Sequence, residues 1–252
     1  MKPTIQEELM ASLPEPVIHH IQHLERMRQD FVANVSHELR TPLTVIHGYI
    51  EALLLQDLDD TKPWRKIFMQ MHQQTLRMET LIEDLLLLSR LECQEDEPLD
   101  MKTVPVATLL KSLYKEAKEY SGDAQHHITL QATKTLDIQG NTEELHSLFS
   151  NIIFNAVKYT PGKGKIAIRW YRENDQACFS VTDTGIGIAA KHIPRLTERF
   201  YRVDPGRSRA SGGTGLGLAI AKHVLLRHQG ALSIESELGK GSCFTCRFPL
   251  CE

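Results

Sequence analysis

Two groups of residues in this chain have types and spacings that can do chemistry. The first is centred on His37, within Phe31-Val-Ala-Asn-Val-Ser-His37-Glu38-Leu39-Arg40-Thr41-Pro42-Leu43. At roughly 100° per residue, His37 falls about 160° from Leu39, the first residue of an apolar seam, so its ring should face water. A neutral imidazole keeps one lone pair and is a competent nucleophile. Glu38 beside it can orient the ring or hold its other N–H. Thr41, one turn further on, shares the same face. Pro42 has no N–H for the helical ladder and is expected to bend the backbone just beyond. Taken alone, a His-Glu pair on a helix is ordinary surface decoration.

The second group lies in the C-terminal half. Asn151, Asn155 and Lys158 are spaced to form one polar helix stripe, with Glu144 and Ser147 near it and Leu145, Phe149, Ile152, Ile153 and Ala156 on the other side. Amide oxygens are hard ligands suited to Mg²⁺, with Asn155 the first candidate and Asn151 the second. A lysine beside them would meet phosphate charge. Asp183, in Val181-Thr-Asp183-Thr-Gly185-Ile-Gly187-Ile188, sits just past a strand end and can accept from an exocyclic amine such as that of adenine. Gly185 and Gly187 allow close backbone approach. Gly212-Gly213-Thr214-Gly215-Leu216-Gly217-Leu218 opens a helix, where exposed N–H groups suit an anion. No Walker lysine follows, and the strand-then-helix context of a dinucleotide fold is missing.

The elements that must position these groups differ between the two halves. Residues 17–92 read as two long helices. Leu39, Leu43, Ile46, Ile50 and Leu53 form one coiled-coil-like seam, and Ile67, Met71, Gln74, Met78, Leu81, Leu85 and Leu88 another, separated by a break at Asp57–Pro63. One hairpin cannot cover such a seam, so pairing with a second copy into a four-helix bundle is expected. Residues 94–103 read as an acidic linker. From Val104 the pattern predicts helices near 106–120, 141–159 and 216–228, with strands near 128–132, 135–138, 165–171, 177–182, 231–236 and 242–249. That mixture predicts an α+β layer with helices on one face of a sheet.

Bulk properties narrow the classes. The formal net charge of −3 gives no nucleic-acid surface. No apolar run approaches the roughly 18 residues of a membrane span, and Met1–Glu15 lacks a signal-peptide core. A cytoplasmic chain is expected, with room for a longer, membrane-anchored parent. Cys243 and Cys246 form a CxxC, but in an alternating strand, residues three apart face opposite ways. Phe244, Cys246, Phe248 and Leu250 should share the buried face, and the five cysteines read as reduced thiols. His19, His20 and His23 read as solvated helix residues, not metal ligands.

Set in order, these pieces resemble a known family. Ser36-His-Glu-Leu-Arg-Thr-Pro-Leu43 resembles the H-box of histidine kinases. Asn151–Thr160 resembles the N-box, Asp183–Gly187 the G1 box, Arg199-Phe-Tyr-Arg202 the F-box, Gly213–Gly217 the G2 box, and Gly239-Lys-Gly-Ser242 the terminal glycine motif of GHKL ATPases. The resemblance covers essentially residues 20–250, and the stretch His192–Asp204 looks most like phosphate-starvation sensor kinases. It implies a phosphoacceptor and dimerisation hairpin (17–93), a linker (94–103) and an α/β sandwich ATP-binding domain (104–252). It also implies a homodimer that uses ATP and Mg²⁺ and passes phosphate from His37 to an Asp of a response-regulator receiver domain. By the same resemblance Glu38 assists attack and Thr41 helps dephosphorylate the regulator. The nucleotide would be held by Asn151, Asn155, Lys158, Tyr159, Asp183, Gly185, Gly187, Arg199, Arg202, Gly213, Thr214, Gly215, Leu216 and Gly217, under a mobile lid at 203–211 carrying Arg207 and Arg209. Two other readings compete: a GHKL ATPase acting as a conformational clamp, and a non-catalytic scaffold.

Overall fold

The computed structural model describes residues 15–54, 64–93, 101–203 and 213–250. The predicted break at 57–63, the body of the linker (94–100), the loop 204–212 with Arg207 and Arg209, and the side chains of His19, His20, His23 and Leu53 lie outside the described residues. The chain forms two compact units divided after Glu79, inside the second long helix.

In the first unit, helix α1 (Glu15–Leu54) runs unbroken through Pro42, and helix α2 (Trp64–Cys93) begins the return. Leu39 and Ile46 of the first seam are half-buried, as are Ile67, Met71, Gln74 and Met78 of the second. Tyr49 donates from its hydroxyl to Gln70 Oε1 across the hairpin. Leu43 and Ile50 of the same seam, together with Val32, Val45, Phe68, Met69 and Leu76, stay exposed in the single chain.

The second unit starts with the last turns of α2, where Leu81, Leu88 and Leu91 are buried. Its five-stranded sheet has the order β2-β4-β5-β7-β6: β2 is His127–Ala132, β4 Lys165–Glu173, β5 Gln176–Asp183, β6 Ala231–Glu237 and β7 Gly241–Pro249. Only the β2–β4 pair is parallel. Helices α3 (Val106–Ser121), α4 (Thr142–Tyr159) and α5 (Gly217–Arg227) pack against it and one another. Phe149 of α4 is the centre of an aromatic cluster with Trp170, Phe179 and Phe248, its ring 4.5 Å from that of Phe179. Trp170 keeps its indole N–H satisfied by donating to the Leu136 carbonyl.

Helix α4, which carries the polar stripe, has a well-defined start and stop. Asn141 Oδ1 accepts from the N–H groups of Glu143 and Glu144, capping the first turn, and Glu143 and Glu144 sit favourably at the positive end of the helix dipole. Thr160 closes the helix by donating to the Ala156 carbonyl at 2.7 Å. Leu145, Phe149, Ile152, Ile153 and Ala156 are all buried, and the stripe opposite them is turned away from the core.

The sheet differs from expectation at its small companion. Lys102–Val104, read from composition as the end of a linker, forms strand β1 and pairs antiparallel with β3 (Ile138–Gly140), three residues further along than the predicted start. Three-residue strands show no alternation to read. Gly140 is needed where it stands: a Cβ there would lie 2.7 Å from the ring of buried His228. That ring donates from Nδ1 to the Val224 carbonyl and accepts the Asn141 N–H at Nε2, an arrangement that fits the neutral tautomer. Burial pushes its pKa down, with the Val224 carbonyl and Glu144 opposing.

The CxxC residues separate as strand geometry requires. Cys246 is fully buried between Phe244 and Phe248, while Cys243 lies half-exposed on the other face. Burial pushes the Cys246 thiol up, leaving it unreactive. Among the described residues no His/Cys/Asp/Glu cluster could hold a metal, and no helix is long and apolar enough to cross a membrane.

Candidate active site

His37 is exposed on α1, and the backbone beneath it is reinforced by hydroxyls. Thr41 Oγ1 donates to the His37 carbonyl at 3.1 Å, and Ser36 and Thr44 make the same kind of bond to Val32 and Arg40. Thr41 is thus half-buried, its proton engaged with the helix and its oxygen lone pairs left to accept. The Glu38 carboxylate, on the neighbouring residue, meets Arg77 of α2, with Arg77 Nη2 3.3 Å from Glu38 Oε2.

In the second unit, four motif segments meet along the polar stripe of α4. The Ile186 N–H donates to the Tyr159 carbonyl, and Gly185 comes so close that a Cβ there would lie 2.6 Å from that oxygen. A Cβ on Gly213 would sit 2.2 Å from Lys158 Nζ, and one on Gly217 would sit 2.2 Å from Asn151 Oδ1. Phe200 donates its N–H to the Gly215 carbonyl at 2.9 Å, and its own φ of 62° places it in the left-handed region. The helical stripe, the G1 turn, the F-box and the G2 loop are therefore held close through glycines: a Cβ would meet backbone at Gly185 and Gly215, the Asn151 amide at Gly217, and at Gly213 the flexible end of Lys158. Asn151 also donates from its amide to the Ser147 carbonyl, which aims Oδ1 towards Gly217. Backbone amides, two asparagine oxygens and a lysine suit phosphates and a hard divalent cation. A cleft of ≈ 90 Å³ opens between Lys158, Tyr159, Thr160, Pro161 and Ile186. That is room for part of a ring system, well short of a whole nucleotide.

Asp183 closes β5 and is buried. Its Oδ1 accepts the Gly185 N–H at 2.7 Å. Burial raises its pKa, and the Gly185 and Ser242 N–H groups oppose that by stabilising the charge. The terminal glycine motif explains how the carboxylate is held. Gly241 has φ +118°, and a Cβ there would sit 2.0 Å from the Asp183 carbonyl oxygen, so the β6–β7 turn can press directly on this strand end. Gly187, at φ +64°, lies equally close to the Glu237 carbonyl of the same turn, and Ser236 Oγ accepts the Ile188 N–H. Replacing Gly187 by Ala is expected to destabilise the second unit by about 2–4 kcal/mol, read by urea unfolding, because it combines left-handed strain with a backbone clash.

Arg199 and Thr214 are drawn elsewhere. Thr214 Oγ1 donates to Asp84 Oδ2 at 2.8 Å and accepts the Leu216 N–H, while Arg199 pairs with Glu92, which His223 also approaches. Burial raises the Asp84 pKa, opposed by the Thr214 hydroxyl. Asp84 and Glu92 had no signal in the sequence, where they pass for solvated acids at the end of an amphipathic helix. The pairing of His192 Nδ1 with the Tyr201 hydroxyl at 2.6 Å, which braces the F-box, was equally hidden.

Comparison with known proteins follows the same division. The family described as histidine kinase-, DNA gyrase B- and HSP90-like ATPase matches residues 140–252, and the His Kinase A (phospho-acceptor) domain matches residues 27–94. Fold and site together define an ATP-binding domain of that ATPase type joined to a phosphoacceptor hairpin. The chain belongs to the sensor histidine kinases of two-component systems. It is 55% identical over 229 residues to the phosphate regulon sensor protein PhoR of Pseudomonas aeruginosa, covering 90% of this chain and 51% of that protein. The chain thus spans about half the length of the curated relatives it matches. Histidine kinase AdeS of Acinetobacter baumannii shares the fold, with a TM-score of 0.69 at 22% identity over 86% of this chain and 98% of its own. The full-length ShkA structure in complex with AMPPNP has a TM-score of 0.64 at 26% identity, over 88% of this chain and 46% of that one.

Proposed function

We propose that this chain transfers the γ-phosphoryl group of ATP to His37 and then passes it to an aspartate of a separate receiver domain. The observation that carries the reading is the close seating of Gly213 and Gly217 on Lys158 and Asn151, which brings the glycine loop against a cation and an amide oxygen. Adenine would lie against Asp183 and Tyr159, with the phosphates along the stripe towards Gly213–Gly217. Asn155, with Asn151 as a second ligand, would hold the Mg²⁺ that screens phosphate charge. Lys158, with Arg202 near Gly213, adds positive charge.

One imidazole nitrogen of His37 attacks phosphorus in line, the N–P bond forms as the bond to the ADP oxygen breaks, and the proton on the other ring nitrogen leaves towards Glu38. Such catalysis is mostly positioning and electrostatics. Thr41 would act in the reverse sense, orienting water for removal of phosphate from the regulator. The division of labour places the phosphoacceptor hairpin at 17–93, the linker at 94–103 and ATP binding at 104–252. The exposed Leu43 and Ile50 of the α1 seam favour a homodimer, a bundle that would cover them. A cytoplasmic setting accords with the chemistry, whether or not a membrane-anchored region belongs to the whole protein.

The deciding experiment is incubation with γ-labelled ATP and Mg²⁺. Base-stable, acid-labile label on the protein is expected; ATP hydrolysis without label would favour the clamp, and neither would favour a scaffold. Asn155→Ala is expected to slow Mg²⁺-dependent labelling by about 100-fold or more while leaving the fold intact, checked by labelling rate and circular dichroism. Labelling at the parent rate would remove Asn155 from the site.

A further inference from the structure

The Glu38–Arg77 pair differs from the fully solvated ion pairs of this molecule. His47–Glu51, Arg172–Asp175, Arg195–Glu198 and Lys240–Glu237 join neighbours three or four residues apart, with side chains more than half exposed. Glu38 and Arg77 lie 39 residues apart, on the two antiparallel helices of the hairpin, with side chains only 18% and 16% exposed. A pair in that setting is screened less by water and salt than a surface pair. The partner is an arginine, whose planar fork fixes the orientation of a carboxylate in a way a lysine's point charge does not. Glu38 is also the residue next to the exposed ring of His37, one helical step round the same helix.

We infer that Arg77 is a positioning residue for phosphorylation of His37: by gripping the Glu38 carboxylate from α2, it sets where the proton acceptor stands relative to the ring. The inference rests on the role proposed above for Glu38. A carboxylate left to its own rotamers samples several directions, and few of them reach the imidazole N–H. The ion pair narrows that choice before ATP arrives. It also makes the geometry of the α1–α2 contact part of the reaction, since any slide of one helix along the other moves the carboxylate.

The test uses the intact chain and four variants: Glu38→Gln, Arg77→Met, Arg77→Lys, and Glu38→Gln combined with Arg77→Met. The readouts are the single-turnover rate of phosphohistidine formation, the KM for ATP, and helicity with oligomeric state. Arg77→Met is expected to slow phosphorylation by about 10- to 100-fold with KM for ATP unchanged. Arg77→Lys should recover only part of the rate. The double variant should be no slower than Glu38→Gln alone, because the arginine has nothing left to position. Additive losses, or an Arg77→Met enzyme as fast as the parent while Glu38→Gln is slow, would overturn the inference and leave Glu38 in its role. Parent-like phosphorylation by Glu38→Gln would instead remove the role of Glu38, and the inference with it. Should Arg77→Met lose helicity, the same cycle built on Arg77→Lys decides, since lysine keeps the charge and the stem.

Discussion

Glutamine in place of His37 is expected to eliminate phosphate incorporation, with labelling lowered by at least about 1,000-fold, while the Kd for ATP stays within about twofold of the parent. The asymmetry follows from where the two activities reside. The nucleotide contacts proposed above are drawn from α4, the β5 end and the glycine loop, all in the second unit, whereas His37 stands on the first. Glutamine keeps polarity and helix propensity at an exposed site, so neither the hairpin nor the ATP pocket has reason to change. What it lacks is a nitrogen lone pair, since its amide nitrogen is delocalised into the carbonyl. Equilibrium binding of a fluorescent ATP analogue and acid-stability of the label measure the two quantities separately. Label surviving in the variant with the same acid lability would point to another acceptor histidine. His47 and His72, both exposed on the hairpin, would be examined first.

Reading the sequence succeeded where a pattern is carried by near neighbours. The 3.6-residue period placed α3, α4 and α5 and the outward face of His37; strand alternation placed Cys246 inside and Cys243 outside. It faltered where the determining partner is far along the chain. Nothing local to Glu38 announces Arg77, and nothing near Thr214 announces Asp84. Gly241 shows the same limit from the other side. Its motif was recognised, yet its physical reason, a carbonyl of Asp183 lying where a side chain would be, exists only once β5 and β7 are paired. Strand β1 escaped because three residues are too few for a period. The back-bonding of Thr41 to His37 was within reach of a local rule, since a threonine inside a helix commonly returns its hydroxyl to the carbonyl four residues earlier. Composition read the site's parts, and pairing between distant segments supplied their aim.

Asp183→Asn is expected to weaken ATP binding by about 30- to 100-fold, equivalent to roughly 2–3 kcal/mol, with little loss of stability. The substitution is nearly isosteric, so hydrogen-bond polarity decides the outcome. In the parent, Asp183 Oδ1 takes the Gly185 N–H, and a carboxylate has a second accepting oxygen for an exocyclic amine. Asparagine has one accepting atom. If its oxygen stays on the Gly185 N–H, its amide nitrogen opposes the adenine amine, donor against donor. If the amide turns over, the oxygen meets the amine and the Gly185 N–H loses its acceptor in a buried turn pinned by Gly241. Both arrangements leave a desolvated donor unmatched. The loss should fall on adenine specifically, because guanine presents a carbonyl oxygen at the corresponding ring position and an amide nitrogen can donate to it. Affinities for ATP and GTP, measured by calorimetry on parent and variant, should therefore converge in the variant. A uniform loss for both nucleotides would show that Asp183 shapes the turn without reading the base, and unchanged ATP affinity would move the base elsewhere in the cleft.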